Sequence, residues 1–311
     1  MASTYLTKSF ASSGNRKKFT FSMWVKRANI SNSFCIFNQH YSSNNNNSYI
    51  GFNSDDTLSF WSYSSSYQMN LKTSAKYRDT NGWYHIVCVA DTEQATSSNR
   101  AKLYVNGVEP ALGTATYPSQ NQDLNFNSDE TQQIGVYRYG STNNYFYDGC
   151  LSHFHFTDGY AYTSSDFGET DSTTGEWKIK TSPSVSYGTN GYWILKDGNS
   201  VTDQSPNTNN WTVTGGTLTK TEDCPSNVFA TFNPLNVPTS NIPVFAHGNT
   251  DLDSCPNAGR FRGSSTLGML SGKFYAEFKW KSGSYPIVGV TSRARNDARE
   301  NKRPGAENGS Y

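Results

Sequence analysis

Short runs in which apolar and polar residues alternate recur from near the start of the chain through residue 165. In residues 19–25, Phe19, Phe21, Met23 and Val25 share one face and Thr20, Ser22 and Trp24 the other, the period-2 pattern of a strand with one buried side. Residues 34–37 follow, then a polar tip at 40–48 that contains four consecutive asparagines, Asn44, Asn45, Asn46 and Asn47. The runs 49–52, 58–63 and 67–71 are separated by Asp55–Asp56 and by serine-rich turns. Residues 83–90 are apolar on both faces, which predicts a strand covered on both sides. Residues 102–108 contain Val105-Asn106-Gly107-Val108, and an Asn-Gly pair between apolar residues predicts a tight hairpin. Residues 133–139 and 148–156 bring the set to about ten strands, a spacing that predicts an all-β antiparallel sandwich.

The texture changes after Phe167. Residues 168–190 are rich in Gly, Ser, Thr and Pro and predict a long connection. Short strands are expected at 192–195 and 211–213, with a polar turn at 203–210 between them. Pro234, Pro238 and Pro243 interrupt residues 225–249. Strand patterns return at 273–280 and 286–290. Two or three strands cannot close a sandwich core. This division predicts a sandwich at 1–167, a linker with short strands packed on it at 168–225, and a smaller, incomplete β module at 226–311. The module is expected to be completed by further chain, by the first domain or by a neighbouring subunit.

Composition narrows the class. Only 34% of residues are hydrophobic and 16% charged, so the polar bulk is uncharged; 20 Tyr and 18 Phe exclude a disordered chain. A net charge of +1 leaves no electrostatic footprint for nucleic acid or an anionic membrane. Arg16, Lys17 and Lys18 are expected to be a solvated strand end, and Arg293, Arg295, Arg299, Lys302 and Arg303 are offset by Asp297, Glu300 and Glu307. No run of ~20 apolar residues suggests a membrane span, and the first residues lack a signal-peptide pattern, so assembly in the cytoplasm is expected. Cys35, Cys88, Cys150, Cys224 and Cys255 are odd in number and widely spaced, the signature of neither a disulfide framework nor a zinc site. Cys35, Cys88 and Cys150 lie inside apolar strand patterns and are expected to act as small hydrophobes.

Trp83-Tyr84-His85-Ile86, Asp91 and Leu103-Tyr104-Val105-Asn106-Gly107 together resemble the central motif of laminin-G-like, concanavalin-A-like domains. Asp148-Gly149-Cys150-Leu151-Ser152-His153-Phe154 resembles the family's closing strand. His153 stands where that family often has an acidic residue, so no role of that carboxylate transfers. The resemblance covers residues 5–167 and implies the jelly-roll fold. The stretch from Asp158-Gly159-Tyr160 to Gly168-Glu169, with Gly188-Thr189-Asn190-Gly191-Tyr192 and Asn227 through Leu235, resembles a subgroup found in virion proteins of marine bacteriophages. Ser271 through Phe278, with Ile287 through Val290, resembles the start of a SPRY-type sandwich. This tandem order implies a tail-fibre, receptor-binding or capsid-surface protein on the virion surface. It also implies a homo-oligomer, a trimer foremost, with other virion proteins as partners.

Enzymes exist on related sandwiches. Retaining glycosidases need two carboxylates about 5–5.5 Å apart, and no Glu-x-Asp-x-Glu strand pattern is present. The pairs Asp55–Asp56, Asp129–Glu130 and Glu222–Asp223 predict turns. His153 and His155 are spaced as half of a metal site, but with no acidic or Cys partner at recognisable spacing a pair of packed or solvent-facing histidines is the preferred reading. Binding is better supported. Tyr137, Tyr139, Asn143, Asn144, Tyr145 and Tyr147 combine aromatic faces with amides, as sugar recognition requires. Trp61, Tyr63 and Tyr67 form a second group beside the asparagine run. The alternative is that these rings form sandwich exterior or an oligomer seam. Asp55, Asp91 and Asp148 are weak Ca²⁺ candidates, and no obligatory cofactor is expected. The expected function is attachment of a virion to a host-surface glycan. A structural decoration role is the alternative, and a glycoside hydrolase comes third.

Overall fold

The computed structural model describes residues 4–40, 45–196, 200–238, 241–253, 261–268, 271, 273–282 and 287–290. The chain divides into two units, 1–228 and 229–311. In the first, the alternating runs form β1 (Tyr5–Lys8), β2 (Lys18–Arg27), β3 (Phe34–His40), β4 (Asn46–Phe52), β5 (Thr57–Ser64), β6 (Ser66–Lys76), β7 (Tyr84–Asp91), β8 (Ala101–Val105) and β9 (Leu112–Thr116). They continue as β10 (Gln132–Ile134), β11 (Tyr137–Tyr139), β12 (Thr142–Asn144), β13 (Gly149–Asp158), the one-turn helix α1 (Ser164–Phe167), β14 (Gly168–Thr170), β15 (Trp177–Ile179), β16 (Tyr192–Ile194) and β17 (Thr212–Gly215). Two antiparallel sheets carry the fold: an eight-stranded one ordered β17-β1-β10-β3-β4-β5-β6-β9, and a five-stranded one ordered β16-β13-β2-β7-β8. Residues beyond 167 thus supply an edge strand to each sheet. Among the described residues, no helix is long and apolar enough to cross a membrane.

The core follows from period-2 alternation. Phe19, Phe21, Met23 and Val25 of β2 meet Phe37, Ile50, Phe60 and Leu71 from the opposite sheet, all fully buried. Phe21 lies 4.5 Å from Phe37 across the sheets and 4.5 Å from Phe156 beside it. Phe126, on the loop before β10, fills the centre at 5.3 Å from both Phe19 and Phe60.

The Asn-Gly turn forms as expected: Asn106 and Gly107 have φ of 48° and 83°, and Val105 and Val108 exchange backbone hydrogen bonds. It does not open into a hairpin, because the outgoing chain crosses to β6 as β9. Gly107 lies under Trp177, whose ring a Cβ would meet at 2.5 Å.

The outer face of the small sheet is also buried. Residues 168–190, expected as a plain connection, instead form the β14–β15 ladder, which sets Trp177 on that face. His85 stacks on Trp24 (4.8 Å) and is bonded by Ser22 and Trp177. The Trp177 indole can only donate, so His85 Nδ1 accepts (3.0 Å), and the neutral ring holds its proton on Nε2 towards Ser22 Oγ (2.9 Å). Burial pushes the His85 pKa down to about 3 and that of His155 well below its usual value. His153 is the extra residue of a β-bulge between Ser152 and His155, with φ of 46°. Its Nδ1 pairs with Ser152 Oγ, while His155 Nδ1 pairs with Tyr187. Both rings pack against Trp193, and no cluster of three His, Cys, Asp or Glu suited to a metal occurs among the described residues.

Two ion pairs are buried at the end of β2. Arg27 bonds Asp56 at 3.0 Å with both side chains inaccessible, its guanidinium 4.4 Å from the Phe52 ring centre. Lys26 bonds Asp223 at 2.7 Å, with both side chains 1% exposed.

In the second unit, β18 (Phe245–Ala246) and β19 (Asp251–Leu252) form a short ladder. Residues 273–280 and 287–290 are not strands, contrary to their alternating pattern; Pro286 lies outside the described residues. A strand needs a partner edge, and Phe274, Phe278 and Trp280 stay exposed.

Removing one member of a buried pair strands the other charge. Asp56→Ala is expected to cost about 3–5 kcal/mol, read as a lower urea midpoint, whereas Lys72→Ala at an exposed pair should cost under ~1 kcal/mol. The buried His85 and His155 give a pH dependence of known sign. Their folded pKa values lie below the unfolded value of about 6.5, so stability is complete above that pH. It falls as pH drops toward 3, by up to about 1.4 kcal/mol per pH unit for each. Urea midpoints at pH 7 and pH 5, a window above carboxylate titration, should differ; equal midpoints would contradict the assignment.

Candidate functional site

Burying Ile50, Phe60 and Leu71 forces their strand neighbours to the outer face of the large sheet. Register then sets the outward residues side by side: Tyr49 opposite Trp61, Trp61 opposite Asn70, and Tyr63 opposite Tyr67. Tyr49 and Trp61 stack at 5.3 Å and 14°, Trp61 meets Tyr67 edge-on at 5.9 Å, and Tyr67 meets Tyr63 at 5.3 Å.

The β11–β12 hairpin adds to the same array. Asn38 Oδ1 accepts the Arg138 backbone N–H (3.1 Å), Asn47 Nδ2 donates to the Tyr137 hydroxyl (3.2 Å), and Cys35 N–H donates to the Tyr145 carbonyl (2.8 Å). Asn38 and Asn47 are themselves buried. Tyr137 thereby lies 5.8 Å from Tyr49, 6.2 Å from Trp61 and 5.7 Å from Tyr145. The two aromatic groups separate in sequence are one shelf of six rings. Tyr67 and Tyr145 are half exposed, as is Tyr139 on the hairpin. Burial raises the hydroxyl pKa of Tyr49 and Tyr137 above the usual tyrosine value, so both are neutral donors and acceptors.

Tyr147 does not belong to the shelf. It is buried in the core, and its hydroxyl donates to the Lys26 carbonyl (2.9 Å). Asn143 and Asn144 are half-buried in the hairpin, opposite Arg138 and Tyr137. Asn44 lies outside the described residues. Sequence reasoning missed Tyr49, a core-like residue in a strand run, since its place under Trp61 depends on the β4–β5 register.

The three Ca²⁺ candidates do not converge. Asp91 pairs with Lys18 at one end of β2, while Gly149, next to Asp148, pairs with Arg27 at the other. Those ends are about 30 Å apart at ~3.3 Å per residue. Asp55 bonds Thr57 and Lys72, which hold its carboxyl well below the usual range. Asp91 accepts from Gln94 (2.7 Å) and lies 3.6 Å from Lys18. Burial raises the Asp148 pKa.

The profile of the concanavalin A-like lectin/glucanases superfamily matches residues 2–166, more than half of the chain. The protein belongs to this family. No curated protein sequence matches it. Among solved structures, the lectin-like domain is similar to a heptameric SAP-like pentraxin from Limulus polyphemus, with 18% identity, a TM-score of 0.38, and coverage of 52% of this chain and 72% of the other. It is similar to domain 4 of an extracellular arabinanase from Geobacillus stearothermophilus solved with arabinotriose, at 20% identity and TM-score 0.37, covering 49% and 65%. A Ruminococcus gnavus sialidase CBM40 bound to α2,3-sialyllactose aligns at 13% identity and TM-score 0.34, covering 43% and 72%. At these scores the likenesses decide nothing about ligand or partner.

Proposed function

We propose that the lectin-like domain binds a glycan across the aromatic shelf, in a non-catalytic role. One observation carries this: Trp61, Tyr63 and Tyr67 converge with Tyr137 and Tyr145 around Tyr49 on an otherwise polar sheet face. Exposed rings offer flat apolar surface to the C–H face of a pyranose. Asn70, opposite Trp61, brings a carboxamide to their edge for the hydroxyls. Ligand sites combine apolar walls with a few placed polar groups in this way.

The setting we propose is a virion surface, where the protein attaches the particle to host-surface glycan. Support comes from the resemblance of residues 158–169, 188–192 and 227–235 to phage virion proteins. A homo-oligomer, with a trimer preferred, would present several shelves together and raise weak single-site affinity through avidity.

A glycan array probed with the purified protein should give hits. Trp61→Ala and Tyr67→Ala should each weaken them about tenfold, equivalent to ~1.4 kcal/mol, with unchanged urea midpoints. Silence across a broad array and a host panel would defeat the reading. Binding to particles with no glycan hit would favour a decoration role.

A further inference from the structure

Lys26 and Asp223, 197 residues apart in sequence, meet on the outer face of the small sheet. Alternation along β2 sends Lys26 to that face with Ser22 and Trp24, and Cys150 of β13 stands directly opposite it. Asp223 arrives from the segment after β17, where its carbonyl accepts the Thr221 hydroxyl (3.2 Å). Lys26 Nζ lies 2.7 Å from Asp223 Oδ2, and both side chains are 1% exposed. The Trp83 indole N–H donates to the other carboxylate oxygen, Oδ1, at 3.4 Å. Trp83 packs with Trp24, Ile179 and the half-buried Cys150, so the surroundings are apolar. An ammonium carries three donors, yet among the described residues Asp223 is the single hydrogen-bond partner of the Lys26 nitrogen. A buried ion pair offsets its loss of water when further hydrogen bonds satisfy the remaining protons. Here two of the three have no such bond.

We propose that Lys26 and Asp223 join covalently, through an amide between the lysine Nζ and the aspartate Cγ. At 2.7 Å from Oδ2, the nitrogen is roughly 3.5 Å from Cγ, the outer limit of the ~3–3.5 Å near-attack range. One proton passes along the hydrogen bond from Nζ to Oδ2, which removes both buried charges and frees the nitrogen lone pair. That pair forms the Nζ–Cγ bond, and the carbonyl electrons move onto Oδ1, where the Trp83 N–H stabilises them. A second proton passes from Nζ to Oδ2. The Cγ–Oδ2 bond then breaks, Oδ2 leaves as water and Oδ1 reforms the carbonyl. Two of the ammonium's protons end in the water and one on the amide nitrogen, and no oxidant or other reactant enters. Groups held in contact react as if at very high concentration, and exclusion of bulk water opposes hydrolysis of the product. The amide also suits the pocket better than the ion pair does: it has no charge, one N–H in place of three, and a carbonyl that keeps the Trp83 bond. The neighbouring pair is a contrast, because the Arg27 guanidinium stays protonated and bonds both Asp56 and the Tyr77 carbonyl. The new bond closes residues 26–223 into a ring and fastens the end of the first unit to the middle strand of the small sheet.

Intact-mass spectrometry of the denatured full chain reads the bond directly. Wild type should be lighter than its sequence by the mass of one water. Lys26→Arg keeps a cation against Asp223 and should show its full sequence mass, as should Asp223→Ala. Trypsin should release residues 19–27 of the wild type, uncut after Lys26, joined to residues 221–260 as one branched peptide. Fragmentation of that peptide should place the missing water between Lys26 and Asp223. The branched peptide from wild type decides without either variant, so their folding is immaterial to the result. A wild-type chain of full mass, separate peptides 19–26 and 221–260, or a water loss that persists in Lys26→Arg would overturn the proposal.

Discussion

Contact between phenyl rings across the two sheets sets the rest of the structure. Phe21 touches Phe37 and Phe156 at 4.5 Å, and Phe126 completes the cluster from a loop. Residues on a strand alternate between faces, so fixing these rings inward fixes every neighbour outward. Tyr49, Trp61 and Tyr63 are on the outer face because Ile50 and Phe60 are in the core. Ser22, Trp24 and His85 face the other way because Phe21, Met23 and Ile86 do not. A one-residue slip in β4 or β5 would dismantle core and shelf together.

The period of the pattern was legible in the sequence, and its pairings were not. Residues 19–25 alternate over a core that contains all four expected apolar side chains, and Asn106-Gly107 makes the expected turn. The course of the chain after that turn depends on a distant edge: β9 joins β6 because that edge is open, which no local signal records. Tyr147 and Tyr145 look equivalent in a loop of tyrosines, yet one is in the core and the other is half exposed. Tyr145 sits at a left-handed turn of φ 50°, whereas the Tyr147 hydroxyl reaches the Lys26 carbonyl in the core. The burial of Lys26 and Arg27 has no local signal in the sequence either, because their partners Asp223 and Asp56 are distant along the chain. The alternation at 273–280 shows the converse, since pattern without a partner edge yields no strand.

The outer faces of the two sheets are treated differently. Over the small sheet the chain folds back, and Trp177, Phe167 and Tyr187 pack on His85 and His155. Those imidazoles lose water and keep one partner for each bonded nitrogen, which is how a buried polar group avoids an uncompensated cost. Over the large sheet, among the described residues of the first unit, the chain contributes the β11–β12 hairpin. Asn38 and Asn47 anchor it, and the rings beside it stay partly uncovered. A fold able to cover one aromatic-rich face has left the other open.

Rigidity connects that open face to the loops. Asp203 accepts the backbone N–H groups of Trp193, Ser205 and Asn209 and the Ser205 hydroxyl, and Asp158 holds three donors in the same manner. Each ties loop backbone with charge-assisted bonds that need no cationic partner, which suits a chain with so few charges. Loops fixed before a ligand arrives lose little entropy when it binds, and tyrosine and tryptophan rings on strands lose little as well. Recognition of a neutral sugar yields small energies per contact, so a scaffold that has already ordered its rings and loops turns more of each contact into affinity.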